Sequence, residues 1–286
     1  MNRFSVTDFL TTLREAGCDL GEPFSYFEEV DSTNSLVKQY ARDGGLHGAC
    51  FLADHQTAGR GRHGRHWHAA PGENLLFSVL LRPRLPAAML SPLTLVLGLG
   101  VRDALAAETT ATLKLKWPND IVVHQTPGAL PPQASEPTST QRNAGSSPFR
   151  KLAGILTESE LSLGEEAFIV AGIGVNVHSQ EFPGDLAHLA TSLALLPRAA
   201  TSSPGFTREI LLTRILQNLS SWLSRYQHGG LGKIHQALNE HDALLGQAVR
   251  VDGRHGIGQG IDERGQLLLK TPSGTVAISS GTVELT

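Results

Sequence analysis

Four apolar runs of strand length constrain this chain more than any other feature: ACFLADHQ at 49–56, NLLFSVLL at 74–81, KLAGIL at 151–156 and AFIVAGIGV at 167–175. Runs this short, bounded by glycine, proline or polar residues, read as buried strands. The last two are expected to pair with each other. A sheet of such strands has to be covered, and two segments have the pattern to cover it. LSPLTLVLGLGVRDALAA is a largely apolar helix with Pro92 near its start. Residues 207–227 place Ile210, Leu211, Ile215, Leu219, Trp222 and Tyr226 at helical spacing. The GLG of the first helix echoes a dinucleotide-binding fingerprint, but it lacks a third glycine and a preceding βα turn, so that reading fails.

The remaining elements are shorter. Residues 5–16 predict an amphipathic helix, with Ser5 and Asp8 placed for a capping box. FSYFEEVDSTN reads as a strand ending in a polar turn, where Asp31, Ser32 or Thr33 can cap the helix SLVKQYARDG. LKLKWPNDIVV is strand sequence with a sharp turn at Trp-Pro-Asn-Asp, and a further helix is expected near 231–245. From Gly246 the texture changes to short alternating strands between Gly-, Asp- and Ser-rich turns. This predicts a β-barrel of roughly 40 residues, too small to be very stable alone and so docked on the rest. The expected organisation is a large domain at 1–245, with residues 1–22 as a helical extension, and a small domain at 246–286. Between two strands lies QTPGALPPQASEPTSTQRNAGSSP (125–148), which has five prolines, no aromatic and no β-branched aliphatic residue. Such a segment cannot bury enough to order itself and reads as a disordered insertion.

Composition excludes several classes. The 286 residues suffice for a real hydrophobic core, and a net charge of -3 argues against a general nucleic-acid binder. Two cysteines, Cys18 and Cys50, rule out a disulfide framework or a four-cysteine zinc site. The first residues show no signal-peptide core, and no run reaches the roughly 20 apolar residues of a membrane span. A reducing cytoplasm is the expected compartment, with neither membrane nor DNA as a partner.

Four polar stretches carry the candidate chemistry. DSTN (31–34) sets hydroxyls and an amide at a helix start, although such a cluster alone is usually a cap. AGRGRHGRHW (58–67) is too polar for a core and too glycine-rich for a stable helix or strand. Its Arg60, Arg62 and Arg65, with glycine N–H groups, suit a phosphate or carboxylate, and Trp67 offers a flat apolar wall. A solvated surface loop or a nucleic-acid contact is the competing reading. KWPND (116–120) alone is a turn, and Lys151 alone an exposed strand lysine or a point charge for phosphoryl oxygens. His63, His66 and His68 suggest a metal, yet their loop has no acidic or thiolate partner, and solvated histidines are the better reading.

The order of these stretches narrows the choice. DSTN, GRGRHGRHW, KWPND, KLAGIL and GIGVNV follow the sequence of motifs in biotin–protein ligases, and the resemblance covers about residues 30–285. Each motif is modest alone, but the ordered set is specific. The resemblance implies an α+β fold: a mixed β-sheet with helices packed on one face, followed by an SH3-like barrel. It implies ATP-dependent activation of biotin to biotinyl-5′-AMP, with Mg²⁺, and transfer to a lysine of a biotin carboxyl carrier protein. By the same resemblance, Ser32, Thr33, Asn34, Gln56 and the backbone from Arg60 through Gly61 to Arg62 would meet the ureido ring. Gly59 and Trp67 would sandwich the apolar part of biotin. Arg62 and Arg65 would face the adenylate phosphates, with Lys151 bridging the carboxylate and phosphate region. Lys151 and Arg62 would be the catalytic pair. Lys116, Asn119 and Asp120 would lie near the nucleotide and its Mg²⁺, and Asn176 would read the adenine edge.

The chain departs from the family pattern in three ways. His63 and His66 stand where many relatives carry Arg or Lys, so the loop's charge is expected to depend on pH near neutrality. The low-complexity insertion separates KWPND from KLAGIL. About 30 residues precede DSTN, too few for the winged-helix domain of the ligases that also act as repressors. That counts against a regulator sensing biotinyl-AMP. A lipoate ligase or octanoyl transferase would carry an RxxGGG motif, absent here. A catalytically dead binding module is disfavoured because Arg62, Lys151 and Asn176 are all present.

Overall fold

The computed structural model describes residues 3–86, 89–124, 147–160, 168–200 and 207–286. The expected insertion therefore lies, but for Ser147 and Pro148, outside the described residues. The four apolar runs become strands: β2 (Cys50–Gln56), β3 (Leu75–Leu81), β6 (Phe149–Glu160) and β7 (Phe168–Val175). With β1 (Phe24–Val30), β4 (Leu113–Lys116) and β5 (Asp120–His124) they form one seven-stranded sheet in the order β1-β2-β3-β7-β6-β5-β4. The β1–β2 pair is parallel and the other pairs are antiparallel, so the sheet is mixed. β3 lies between β2 and β7, and all seven of its residues are buried. That is why its sequence is a continuous apolar run rather than an alternation.

Helix α3 (Leu93–Ala106) is apolar on nearly every side because it lies between the sheet and α4 (Arg208–Gly229). The glycines of GLG explain the close crossing. A Cβ on Gly100 would meet the backbone of Asn218 and Leu219 at 3.0 Å. Helix α1 (Val6–Glu15) packs on α4 through Phe9 and Leu13. Ser5 caps it, accepting from the Asp8 N–H at 3.3 Å, but the reciprocal half of the capping box is absent. The Ser5 N–H instead donates to Glu209 of α4 at 2.6 Å, which ties the extension to the main body.

Strand period divides the sheet's two faces. On β3, Leu75, Phe77, Val79 and Leu81 join the core beneath α3 and α4. Leu80 points the other way, onto Val37 and Ala41 of α2 (Thr33–Arg42), and Ser78 on that same face bonds Asn34. The expectation of helices on one face thus holds for α1, α3 and α4, whereas α2 covers part of the opposite face. The helix expected over 231–245 is reduced to α5 (His235–Glu240) after a 3-10 turn at Leu231–Lys233.

The last five strands, β8 (Ala248–Val251), β9 (Arg254–Ile261), β10 (Leu267–Thr271), β11 (Gly274–Ile278) and β12 (Val283–Leu285), form an antiparallel sheet in the order β11-β10-β9-β8-β12, consistent with an SH3-like domain. It is docked, as its size requires. Val249, Ile261, Leu267 and Leu269 belong to the same contiguous core as the large sheet. The Trp117 indole N–H donates to the Gly265 carbonyl at 3.0 Å, and Asn239 Oδ1 accepts from the Ile261 N–H at 2.9 Å. Among the described residues no helix is long and apolar enough to cross a membrane.

Candidate functional site

The sheet face that α2 leaves uncovered forms a cavity of about 350 Å³. Its floor is made of glycines. A Cβ on Gly174 would lie 2.6 Å from Trp67 Cε2, and one on Gly154 would lie 3.0 Å from Trp67 Cζ3. Only glycine lets the Trp67 indole lie this close to the strands. The indole N–H is buried there without a hydrogen-bond partner among the described residues. The loop that carries Trp67 closes on itself: Gly61 N–H donates to Arg65 O at 2.7 Å and Trp67 N–H to Gly59 O at 3.0 Å. His63 at its tip adopts φ 56.

One end of the cavity is a neutral hydrogen-bonding wall at the start of α2. Ser32 caps that helix through its backbone, leaving its side chain out of the cap and on the cavity lining. The Thr33 N–H and hydroxyl both donate to Gln56 Oε1, at 2.8 and 3.1 Å. Gln56 also lines the cavity. Asn34 is held on both sides, accepting from the Ser78 hydroxyl at 2.5 Å and donating to Glu158 at 2.8 Å. Lys38 also pairs with Glu158 at 2.6 Å. Burial alone would push the Glu158 carboxyl up, but the bonds from Lys38 and Asn34 and the charges of Lys38 and Arg60 bring it below its usual value.

The other end is cationic, and a β-bulge makes it so. In β6, Ala153 packs in the core, so Lys151 two residues earlier would point there as well. The β5–β6 register shifts between Ile121 and Val122, placing Lys151 opposite Val122. The shift turns Lys151 to the cavity face. Its Nζ lies 2.6 Å from Asp120 and 5.2 Å from the centre of a Trp67 ring. Lys116, Arg62 and Arg65 line the same end. Burial pushes the Lys116 amine below its usual value; Asp120 opposes that effect and Lys151 and Arg65 add to it. Burial likewise lowers Arg62. Grouped, partly desolvated cations of this kind favour an anion that neutralises several of them together.

Most of the expected site residues line this cavity: Ser32, Thr33, Asn34, Gln56, Arg60, Gly61, Arg62, Arg65, Trp67, Lys116, Asn119, Asp120, Lys151 and Asn176. Gly59 does not. It pairs with the Trp67 backbone, so the strand glycines, not Gly59, face the indole. Two of the lining residues also brace the scaffold. The Asn119 amide donates to Ile155 O at 2.9 Å, and the Asn176 amide donates to Thr191 O at 3.0 Å, fixing the 186–191 wall. That wall, with Phe182, Leu186 and Leu189, was not foreseen, nor were Gly281, Thr282 and Val283 of the small domain. The paired glycines of GIG were a readable sign of close approach to one strand face. The wall and the small domain left no local sign.

Comparison with known proteins identifies relatives over most of the chain. Residues 26–176 match the model of the biotin/lipoate A/B protein ligase family, and residues 244–286 match the biotin protein ligase C terminal domain. A biotin--[acetyl-CoA-carboxylase] ligase of Mycobacterium tuberculosis is 31% identical, over 89% of this chain and 86% of that protein. The bifunctional ligase/repressor BirA of Bacillus spizizenii is 29% identical, over 93% of this chain and 75% of that protein. The biotin protein ligase of Aquifex aeolicus, solved in complex with biotin and ATP, superposes with a TM-score of 0.71. Its identity is 29%, with 93% of this chain and 99% of that chain covered. On the family match, the likeness over most of the chain and the shared fold, the chain belongs to the biotin/lipoate A/B protein ligase family, in its biotin protein ligase branch.

Proposed function

We propose that this chain is an ATP-dependent biotin protein ligase, which activates biotin as biotinyl-5′-AMP and transfers it to a lysine of a biotin carboxyl carrier protein. The observation that carries the reading is one cavity with a neutral hydrogen-bonding wall at Ser32–Gln56, a glycine floor under Trp67 and a cluster of cations at the far end. The wall suits a ureido ring, the floor an apolar ring and chain, and the cations a carboxylate beside phosphates.

In the first step a biotin carboxylate oxygen attacks the α-phosphorus of ATP and pyrophosphate leaves. Two anions must meet, so the barrier falls when fixed cations already surround the point of attack. Lys151, held by Asp120 and by the Trp67 ring, is placed to do this, with Arg62 and Lys116 beside it. In the second step the amine of the acceptor lysine attacks the carbonyl of the mixed anhydride. An amide forms, AMP leaves, and the amine loses its proton to solvent. Neither step requires a nucleophile from this chain.

Mg²⁺ fits as an ion carried in by the nucleotide. Among the described residues no group of three His, Cys, Asp or Glu could hold a metal, and Asp120 is the only carboxylate lining the cavity. One carboxylate with phosphate oxygens and water is the usual magnesium set at such sites. The ion would neutralise phosphate charge there. The cytoplasm, where ATP is supplied, is the compartment this reaction needs.

Incubation with biotin, ATP, Mg²⁺ and a carrier domain, followed by intact mass measurement, tests the assignment. The carrier should gain one biotinyl group, and only when ATP is present. An unmodified carrier together with no pyrophosphate release would refute the reading.

A further inference from the structure

The small domain reaches into the cavity at one point, where Arg62 Nη1 donates to the Gly281 carbonyl at 3.3 Å. The carbonyl is not there by accident of a loose loop. Gly281 has φ +145, and a Cβ there would lie 2.6 Å from Asp252 Oδ2 and 2.8 Å from Val251 Cγ1. The next residue, Thr282, donates its N–H to Asp252 Oδ1 at 3.2 Å. Asp252 is itself fixed by its turn. Val251 and Arg254 are paired across β8 and β9, so Asp252 and Gly253 form a two-residue hairpin with φ 46 and 83. Asp-Gly is a preferred sequence for such a turn. A hairpin of the small domain thus clamps the 281–282 backbone, and that backbone holds the arginine of the catalytic loop. The Asp252 carboxylate also lies near enough to act on the Arg62 charge, offsetting part of the burial that disfavours it.

We propose that Asp252 is a positioning residue for Arg62: by fixing the Gly281 carbonyl it holds the guanidinium at the cationic end of the cavity before the ligand arrives. The inference rests on the reading of the cavity as the biotinyl-5′-AMP site. The loop 58–67 is glycine-rich and would otherwise have to be ordered at the expense of ligand affinity. With the clamp, part of that ordering is supplied by the small domain, and the intermediate is held longer.

Release of pre-bound biotinyl-5′-AMP is the measurement, on the intact chain and on four variants. Asp252→Gly keeps the positive φ and removes the clamp, whereas Asp252→Asn keeps both the turn and the acceptor for Thr282. Release should speed up about fivefold in Asp252→Gly and stay within about twofold of the parent in Asp252→Asn. Arg62→Gly should be fast on its own, and adding Asp252→Gly to it should change nothing further. Unchanged release from Asp252→Gly would overturn the inference, as would the same acceleration in the Arg62→Gly background, since a merely structural role acts without Arg62. Slow release from Arg62→Gly itself would overturn the reading of the cavity, and the inference with it.

Discussion

Lys151 faces the cavity because β6 has a bulge beside it, and its chemistry follows from what it meets there. If its charge stabilises the encounter of carboxylate and α-phosphate, Lys151→Ala should slow pyrophosphate release by about a hundredfold, ~2.7 kcal/mol. A rate near that of the parent would remove Lys151 from the reaction. Asp242 belongs to the same scale but to stability. It is 1% exposed, and burial pushes its carboxyl from 3.8 up to about 6, partly offset by the Leu244 N–H. Between those values the folded chain keeps a proton that the unfolded chain has released. Stability from this group is therefore full below pH 3.8 and lost as the pH rises through about 6. Asp242→Asn cannot ionise, so its stability relative to the parent should improve between pH 4 and 8 by up to about 3 kcal/mol. Chemical denaturation at several pH values measures this, and a pH-independent difference would contradict it. His47, His178 and His241 are lowered by burial and weaken the fold in the opposite direction, as pH falls. They are common to both proteins and cancel.

At the scale of elements, the β5–β6 hairpin supplies Lys151 and its partner Asp120 to the cationic end. His124 and Phe149 are paired across it, so the two strands end opposite each other. Ser147 belongs to the hairpin as well, exchanging bonds with the Phe149 backbone and lining the cavity. Replacing residues 125–146 with a short Asn-Gly connection preserves all of these. Biotin and ATP kinetics should then stay within about threefold of the parent, since loop length changes closure entropy only slowly. A loss beyond about tenfold with an unchanged circular dichroism spectrum would assign the segment a part in adenylation. A loss confined to transfer would make it a docking element for the carrier. The strands of this hairpin, with β2, β3 and β7, were legible because burial on both faces writes continuous apolar runs. Helix α5 was not legible at its true length. The apolar residues of the expected 231–245 helix, such as Leu238 inside α5 and Leu244 beyond it, serve the core shared with the small domain rather than one helical face.

For the whole molecule, one contiguous core joins the seven-stranded and five-stranded sheets, and Trp117 and Asn239 bond across the junction. A domain of roughly 40 residues contributes little stability alone, so it should not unfold independently. Calorimetry should show a single transition, with equal calorimetric and van't Hoff enthalpies. A separate low-temperature transition, leaving near-native signal from the large sheet, would show that the shared core does not couple the two sheets.

The sequence by itself determined the strands and long helices, the change of texture at Gly246 and the cationic character of the 58–67 loop. Those features are local: apolar period, turn chemistry and charge are written within a few residues. The order of DSTN, GRGRHGRHW, KWPND, KLAGIL and GIGVNV also indicated that these stretches act together. Tertiary structure alone decided which atoms meet. It turned Lys151 out of the core through a register shift, set Gly154 and Gly174 rather than Gly59 beneath Trp67, and committed the Asn176 amide to Thr191. It also brought Gly281 to Arg62, 219 positions apart in the chain. The physical reason is that strand pairing across distant segments sets face and register, and neither leaves a mark on the residues nearby.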